Sequence, residues 1–126
     1  MANGGKAQVK PEIKKKSIKE LMAKPEKKVK EAPKAHIFIA TPMYGGMCTG
    51  YFSNSLLAAA NVLPQHGIGM SFSCMFNESL IPRARNALSH QFLKTDCDYM
   101  MFIDADIKFD ANDILPMIAS DVDIIC

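Results

Sequence analysis

A short apolar segment that runs directly into two aspartates sets the strongest limits on the fold of this chain. Met100 to Ile103 are consecutive apolar residues, and Asp104-Ala105-Asp106 follows them without a break. A continuous apolar run of this kind predicts a strand that is buried on both faces of a parallel sheet. Two carboxylates at the carboxyl end of such a strand lie where open α/β sheets bind ligands. Their oxygens suit Mg²⁺ or Mn²⁺ with phosphate groups; the alternative is that they only cap the strand and begin a turn.

Strand and helix patterns alternate from residue 36 to the end of the chain. Apolar runs predict strands over residues 36–40, 68–76 and 100–103, and the start of a fourth strand over residues 121–126. Apolar residues at helical spacing predict helices over residues 49–63, 79–94 and 113–120. Thr49 or Ser53 could cap the first helix, and Pro64 together with Gly67 stops it. The second helix follows a turn and cap at Asn77-Glu78-Ser79 and has Pro82 in its first turn, where proline is tolerated. This order predicts an α/β fold, with a parallel, Rossmann-like sheet and helices on both faces. Because the sequence ends on an apolar strand, we expect it to be the N-terminal part of a longer protein.

Charge divides the chain into two parts. Residues 1–35 carry 11 Lys and 4 Glu, a net charge of +7, whereas residues 36–126 carry 4 Lys plus Arg and 9 Asp plus Glu, a net charge of −5. The first part has few apolar residues, so it is predicted to be a disordered, Lys-rich tail. Its lysines could alternatively form a patch for nucleic acid or an anionic membrane, but no specific nucleic-acid partner is predicted. Residues 36–126 are predicted to be the folded domain.

The cysteines and the N-terminus indicate in which cellular compartment the protein is expected. None of Cys48, Cys74, Cys97 and Cys126 forms a Cys-x-x-Cys pair, and no histidine lies at zinc-ligand spacing from them. The Lys-rich N-terminus lacks the apolar segment of a signal peptide. No apolar run approaches the roughly 20 residues that span a bilayer. We therefore expect a cytoplasmic protein with reduced thiols, no structural zinc and no transmembrane segment.

Two further polar segments are predicted to reach the same edge of the sheet as the two aspartates. The first strand runs into the segment Thr41–Gly46, whose paired glycines permit a close backbone approach to a ligand, or only a plain turn with positive φ. The second helix carries Arg83, Arg85 and Asn86 in its first two turns. Arginine suits bidentate phosphate contacts, and a helix N-terminus adds N–H donors. Ordinary surface arginines on an amphipathic helix are the alternative.

The order of these motifs resembles a known family. Ala84-Arg85-Asn86, then an apolar helix, then Tyr-Met-Met-Phe-Ile-Asp-Ala-Asp resembles the Ala-Arg-Asn…Asp-x-Asp core of GT-A-fold glycosyltransferases, especially the family-two-like group. The segment 83–86 and the longer gap after it are similar to Anp1-type mannosyltransferases as well. The resemblance covers residues 36–126 and none of the tail. It implies a glycosyltransferase that takes a nucleotide-diphospho-sugar donor and transfers the sugar to a glycan, protein or lipid acceptor.

The resemblance also implies a metal site. Asp106 would be the direct ligand of Mn²⁺ or Mg²⁺, and Asp104 would contact the ribose or would reach the metal through water. The sequence departs from the family pattern in two respects. The 18 positions from Asn86 to Asp104 exceed the usual family-two gap. The acceptor half of the fold, with the catalytic base of inverting members, would lie beyond Cys126, so no catalytic base is assigned.

The remaining donor contacts implied by the resemblance come from the other two segments. Arg85 and Asn86, beside Arg83, would contact the diphosphate and the sugar. The segment after the first strand would hold the nucleoside through Thr41, Pro42 and Tyr44, and the ring of Tyr44 would stack on the base.

Two other functions stay open at this point. The chain could be a nucleotide-binding fragment without catalytic activity. It could also be a haloacid-dehalogenase-like phosphatase, which uses an aspartate of an Asp-x-Asp motif as its nucleophile. That family has Thr or Val two positions after the second aspartate and carries the motif on the first strand. Here the position holds Lys108, and the motif follows the third predicted strand.

Overall fold

A parallel three-stranded sheet forms the centre of the domain. The computed structural model describes residues 34–126, so the predicted tail lies almost wholly outside the described residues. The strands are β1 (Ala35–Met43), β2 (Ile68–Phe76) and β3 (Tyr99–Phe102), in the order β2-β1-β3 with both pairings parallel. The α-helices are α1 (Gly50–Val62), α2 (Ile81–Phe92) and α3 (Ile114–Ala119), with 3₁₀ turns at Tyr44–Gly46, Leu63–His66 and Ala111–Asp113. The all-parallel sheet confirms the predicted α/β fold.

The central strand β1 carries the core on both of its faces. Ile37 packs with Ala59 of α1 on one side, whereas its neighbour Phe38 packs with Leu88 of α2 on the other. Successive side chains of a strand point to opposite faces, so a continuous apolar run needs a helix on each side. The helices therefore cover both faces of the sheet, as predicted.

The first crossover has the predicted cap and the predicted stop. The Thr49 hydroxyl accepts a hydrogen bond from the backbone N–H of Phe52 at 3.2 Å, which satisfies one of the free donors at the start of α1. Beyond the 3₁₀ turn that follows α1, Gly67 adopts a φ of +72°. Glycine tolerates this conformation without strain, so the chain can turn back into β2.

Helix α2 begins later than predicted, and Glu78 rather than Ser79 accepts the side-chain hydrogen bond at its start. The predicted start was Ser79, but the helix begins at Ile81, and Leu80 in the capping position makes no side-chain cap. Instead the Glu78 carboxylate accepts a hydrogen bond from the Leu80 backbone N–H at 3.0 Å. Pro82 lies in the first turn, as predicted, where its missing N–H has no helical partner to lose.

Two strand predictions were wrong. The prediction that residues 100–103 form a strand buried on both faces was wrong, because Phe102 is 39% exposed and, among residues 34–126, β3 pairs with β1 alone. The prediction of a fourth strand over residues 121–126 was also wrong, because this segment forms no strand and all of its residues are exposed. An apolar pattern shows that a segment suits a sheet, but a strand also needs a neighbour to pair with.

None of the helices within residues 34–126 combines the length and the apolar character that crossing a bilayer requires.

Candidate functional site

A cleft of about 450 Å³ opens at the carboxyl edge of the sheet. Its walls come from the ends of all three strands. Pro42 and Tyr44 contribute from the end of β1, Glu78 follows β2, and Asp104 and Asp106 follow β3. Because the strands are parallel, their carboxyl ends meet at one edge, which is where open α/β sheets bind ligands. The structure therefore brings the two aspartates and part of the predicted nucleoside segment into one cavity.

The Asp-Ala-Asp segment is held in place by backbone hydrogen bonds. The N–H of Ile107 donates to the carbonyl oxygen of Asp104 at 3.1 Å, which closes a turn around the motif. The N–H of Thr49 donates to the carbonyl oxygen of Ala105 at 2.9 Å, which ties the turn to the start of α1. The backbone is thereby fixed, while the Asp104 side chain is half-buried and Asp106 is exposed to the cleft.

Arg85 is the predicted basic residue that reaches the aspartates. Its Nη2 atom lies 3.1 Å from Oδ1 and 3.4 Å from Oδ2 of Asp104. The guanidinium carbon also lies 5.6 Å from the centre of the Phe102 ring, a cation–π distance. These contacts hold a guanidinium beside the Asp104 carboxylate, although Arg85 itself is not among the residues that line the cleft.

Several predicted site residues lie elsewhere. Thr41 and Pro42 belong to β1 rather than to a loop, and the Thr41 side chain is fully buried, with no hydrogen-bond partner for its hydroxyl among residues 34–126. The Nη2 atom of Arg83 donates to Glu78 at 2.8 Å instead of facing the aspartates. Asn86 is exposed on α2 and does not line the cleft. The structure thus places Pro42, Tyr44 and the two aspartates in the cleft and joins Arg85 to it only through Asp104. It sets Thr41, Arg83 and Asn86 apart.

Glu78 is the cleft residue that sequence reasoning missed, since it was assigned only to a turn. Its position at the carboxyl end of β2 was the signal that could have placed it at this edge. The hydrogen bond from Arg83, joined by that from the Leu80 N–H, lowers the pKa of Glu78. The same bond raises the pKa of Arg83. Glu78 therefore carries its negative charge at neutral pH, largely balanced by Arg83.

The donor set fits a divalent ion that arrives together with phosphate. Within residues 34–126, no group of three or more His, Cys, Asp or Glu side chains is arranged to hold a metal. Mg²⁺ is usually bound by one or two carboxylates and completes its shell with water and substrate phosphate oxygens. Asp104 and Asp106 supply that number of carboxylates, so a metal–diphosphate pair suits the cleft better than a metal alone.

No protein-family model matches this chain, and neither a curated protein nor a solved structure matches it. The glycosyltransferase resemblance therefore depends on the Ala-Arg-Asn and Asp-x-Asp residues alone. The function has to be inferred from the chemistry of the cleft.

Proposed function

We propose that this domain binds a nucleotide-diphospho-sugar together with Mn²⁺ or Mg²⁺ in the carboxyl-edge cleft, as the donor-binding part of a glycosyltransferase that acts on a glycan, protein or lipid acceptor. One observation carries the proposal: Arg85 is bonded to Asp104 beside Asp106, at the carboxyl end of a parallel sheet. The guanidinium bonded to Asp104 provides a cation that binds phosphate directly, and the two carboxylates that line the cleft provide ligands that bind phosphate through a metal.

Each side chain has a distinct part in this proposal. Asp106 would ligate the metal directly, and Asp104 would assist it or bind the ribose. A bound divalent ion neutralises the negative charge that develops on the departing nucleoside diphosphate. Tyr44 is 68% exposed at the rim of the cleft, so its ring is free to stack on the nucleobase.

Arg85 would exchange partners when the donor binds. In the free protein it pairs with Asp104, and both side chains are close to half exposed, at 44% and 46%. Exposed pairs of this kind are weak, so the carboxylate gives up the guanidinium at little cost. Asp104 would then be free to ligate the metal, and Arg85 would be free to donate to the diphosphate oxygens of the donor.

A cytoplasmic location is part of the proposal. All four cysteines lie within the described residues, and all four are free thiols. Reduced thiols are the usual state in the cytosol, which supports this location.

A thermal-shift titration with UDP, GDP and dTDP, each with and without Mn²⁺, tests the proposal. A ligand at about 100 times its dissociation constant adds about 2.7 kcal/mol to the free energy of unfolding. For a domain of this size, that raises the melting temperature by roughly ten degrees or more. We expect such a shift with one nucleotide, and only when Mn²⁺ is present.

Two aspartate variants locate the binding. Asp106→Asn removes a proposed metal ligand, so we expect it to abolish the metal-dependent shift. Asp96→Asn is the matched control, because Asp96 is exposed and lies outside the cleft. It should shift like the unchanged protein. A protein that melts cooperatively and shows no shift with any nucleotide would refute the proposed donor site.

A further inference from the structure

Large apolar side chains are exposed around the mouth of the carboxyl-edge cleft. They come from the segment after β1, the start of α1, the end of β2 and the start of α2. Each of them is between 48% and 74% exposed. Exposed apolar patches of this kind mark surfaces that bind a protein or a membrane. The members of this apolar rim are Met47, Tyr51, Phe76, Leu80 and Ile81.

The topology of the sheet places all five rim residues at one edge. Met47 and Ile81 line the cleft directly. Phe76 ends β2, whereas Tyr51 and Leu80 lie where α1 and α2 begin. In a parallel sheet, each strand ends and the helix after it begins at the carboxyl edge. The rim therefore surrounds the opening of the cleft.

The rim belongs to an uncharged part of the domain. Residues 35–77 contain no Asp, Glu, Lys or Arg, so β1, α1 and β2 carry no formal charge apart from their histidines. The hydrogen-bonding side chain of the rim is the Tyr51 hydroxyl, and the other four members are Met, Phe, Leu and Ile. A protein–protein interface of typical size has about ten direct hydrogen bonds. A lipid surface requires none, so it suits the rim better than a protein partner does.

The charges inside the rim indicate which lipid surface it can meet. The charged residues that line the cleft are Glu78, Asp104 and Asp106, and Arg83 and Arg85 pair with the first two. These five side chains leave a net charge of −1, and residues 36–126 as a whole have a net charge of −5. Like charges therefore oppose both an anionic headgroup and a second copy of the domain. A zwitterionic headgroup, whose outer ammonium group is positive, is favoured.

We propose that the apolar rim docks this domain on a lipid surface with zwitterionic headgroups, such as phosphatidylcholine. The rim side chains enter the boundary between headgroups and acyl chains, and the Tyr51 hydroxyl stays at the level of the headgroups. The cleft then opens towards the lipid surface. The inference rests on the proposed function in one respect, because it makes the acceptor a lipid. The sugar passes from the departing nucleoside diphosphate to an oxygen of a lipid in that surface, and this oxygen loses its proton.

Flotation of the full chain with phosphatidylcholine vesicles tests the docking. It is measured without nucleotide and without metal, so the result does not depend on the donor site. These vesicles have no net charge, so the lysines of residues 1–35 have no anionic surface to bind. We expect the chain to float with the vesicles and to remain bound in high sodium chloride, because salt screens charges but not apolar contacts.

Two leucines at opposite ends of α2 provide matched variants. Leu80 belongs to the rim and is 57% exposed, whereas Leu93 follows the last residue of the helix and is 77% exposed. Leu80→Glu places a charge in the rim, so we expect it to weaken vesicle binding at least about tenfold, while Leu93→Glu binds like the unchanged chain. Leu80→Glu should keep the nucleotide-dependent melting shift, because Leu80 makes no donor contact. If Leu80→Glu does not melt cooperatively, Met47→Glu takes its place.

Three results would overturn the docking surface. The first is no flotation of the unchanged chain, and the second is flotation that high salt abolishes, since charge would then cause it. The third is equal binding by the unchanged chain and the rim variant. Self-association without lipid that Leu80→Glu removes would also overturn it, because a second copy would then cover the rim. If vesicles bind and no nucleotide shifts the melting temperature, the docking surface is confirmed, and the lipid acceptor is refuted together with the donor site.

Discussion

Substituting Arg85 by alanine should change two affinities in opposite directions. In the free protein, the Nη2 atom of Arg85 donates a hydrogen bond to Oδ1 of Asp104 at 3.1 Å. In the proposed complex, the guanidinium binds the donor diphosphate instead. Arg85→Ala therefore frees a metal ligand and at the same time removes a phosphate donor. We expect Mn²⁺ alone to bind more tightly and the Mn²⁺–nucleoside diphosphate pair to bind more weakly.

The exposure of the pair sets the size of each change. With the side chains 44% and 46% exposed, an ion pair of this kind contributes about 0.2–1 kcal/mol, so freeing Asp104 strengthens Mn²⁺ binding by up to about fivefold. A hydrogen bond to a charged group contributes about 1.5–3 kcal/mol, so its loss weakens nucleotide binding by about tenfold to a hundredfold. The freed carboxylate offsets part of that loss. The free energy of unfolding should fall by no more than about 1 kcal/mol, because the ion pair that the substitution removes is exposed.

Two titrations measure these affinities. The electron paramagnetic resonance signal of free Mn²⁺ gives the metal affinity without nucleotide, and calorimetry gives the affinity for the nucleoside diphosphate at saturating Mn²⁺. Arg83→Ala is the matched control, since it lies on the same helix but pairs with Glu78. Arg83→Ala should change both affinities less than Arg85→Ala does. If Arg85→Ala moves both affinities in the same direction, or leaves nucleotide binding unchanged, the exchange of partners is refuted.

Two stability measurements test other contacts. The buried hydroxyl of Thr41 has no hydrogen-bond partner among residues 34–126, and Thr41→Val replaces it by a methyl group of similar size. This substitution should raise the free energy of unfolding by about 1 kcal/mol and the melting temperature by about 4–8 °C. A lower melting temperature would show that the hydroxyl is bonded. The pKa of Glu78 is lowered by its hydrogen bond from Arg83, so its charged form stabilises the fold above the ordinary pKa of 4.5, and this contribution is lost as the pH falls through the lowered value. Glu78→Gln should therefore melt below the unchanged protein at about pH 7, and the difference should shrink as the pH falls below 4.5 and through the lowered pKa of Glu78. A difference that stays constant as the pH falls would show that charge is not its cause.

Local patterns were sufficient for most of the elements and for the position of the acidic motif. The first three apolar runs, the cap at Thr49 and the stop near Gly67 depend on residues close in sequence, and the structure has each of them, whereas the predicted fourth strand is absent from residues 121–126. The parallel arrangement followed from the alternation of strands and helices. It placed Asp104 and Asp106 at the carboxyl edge, because every strand of a parallel sheet ends on the same side.

The orientation of α2 decided which arginine belongs to the site. Arg83 and Arg85 are two positions apart, and residues two positions apart on a helix point in nearly opposite directions. The burial of Ala84 and Leu88 against the sheet fixes the rotation of the helix. As a result, Arg85 reaches Asp104 and Arg83 reaches Glu78. No pattern in the sequence distinguishes the two arginines, because the rotation depends on packing between distant elements.

The sequence by itself determined the α/β class, three of the four predicted strands, the helices and the acidic edge. Only the tertiary structure decided that β3 pairs with β1 alone among residues 34–126, that residues 121–126 form no strand, and that Glu78 joins the cleft. The difference has a physical cause. The preference of a segment for strand or helix depends on side chains a few positions apart, whereas hydrogen bonding between strands depends on which distant backbone lies alongside.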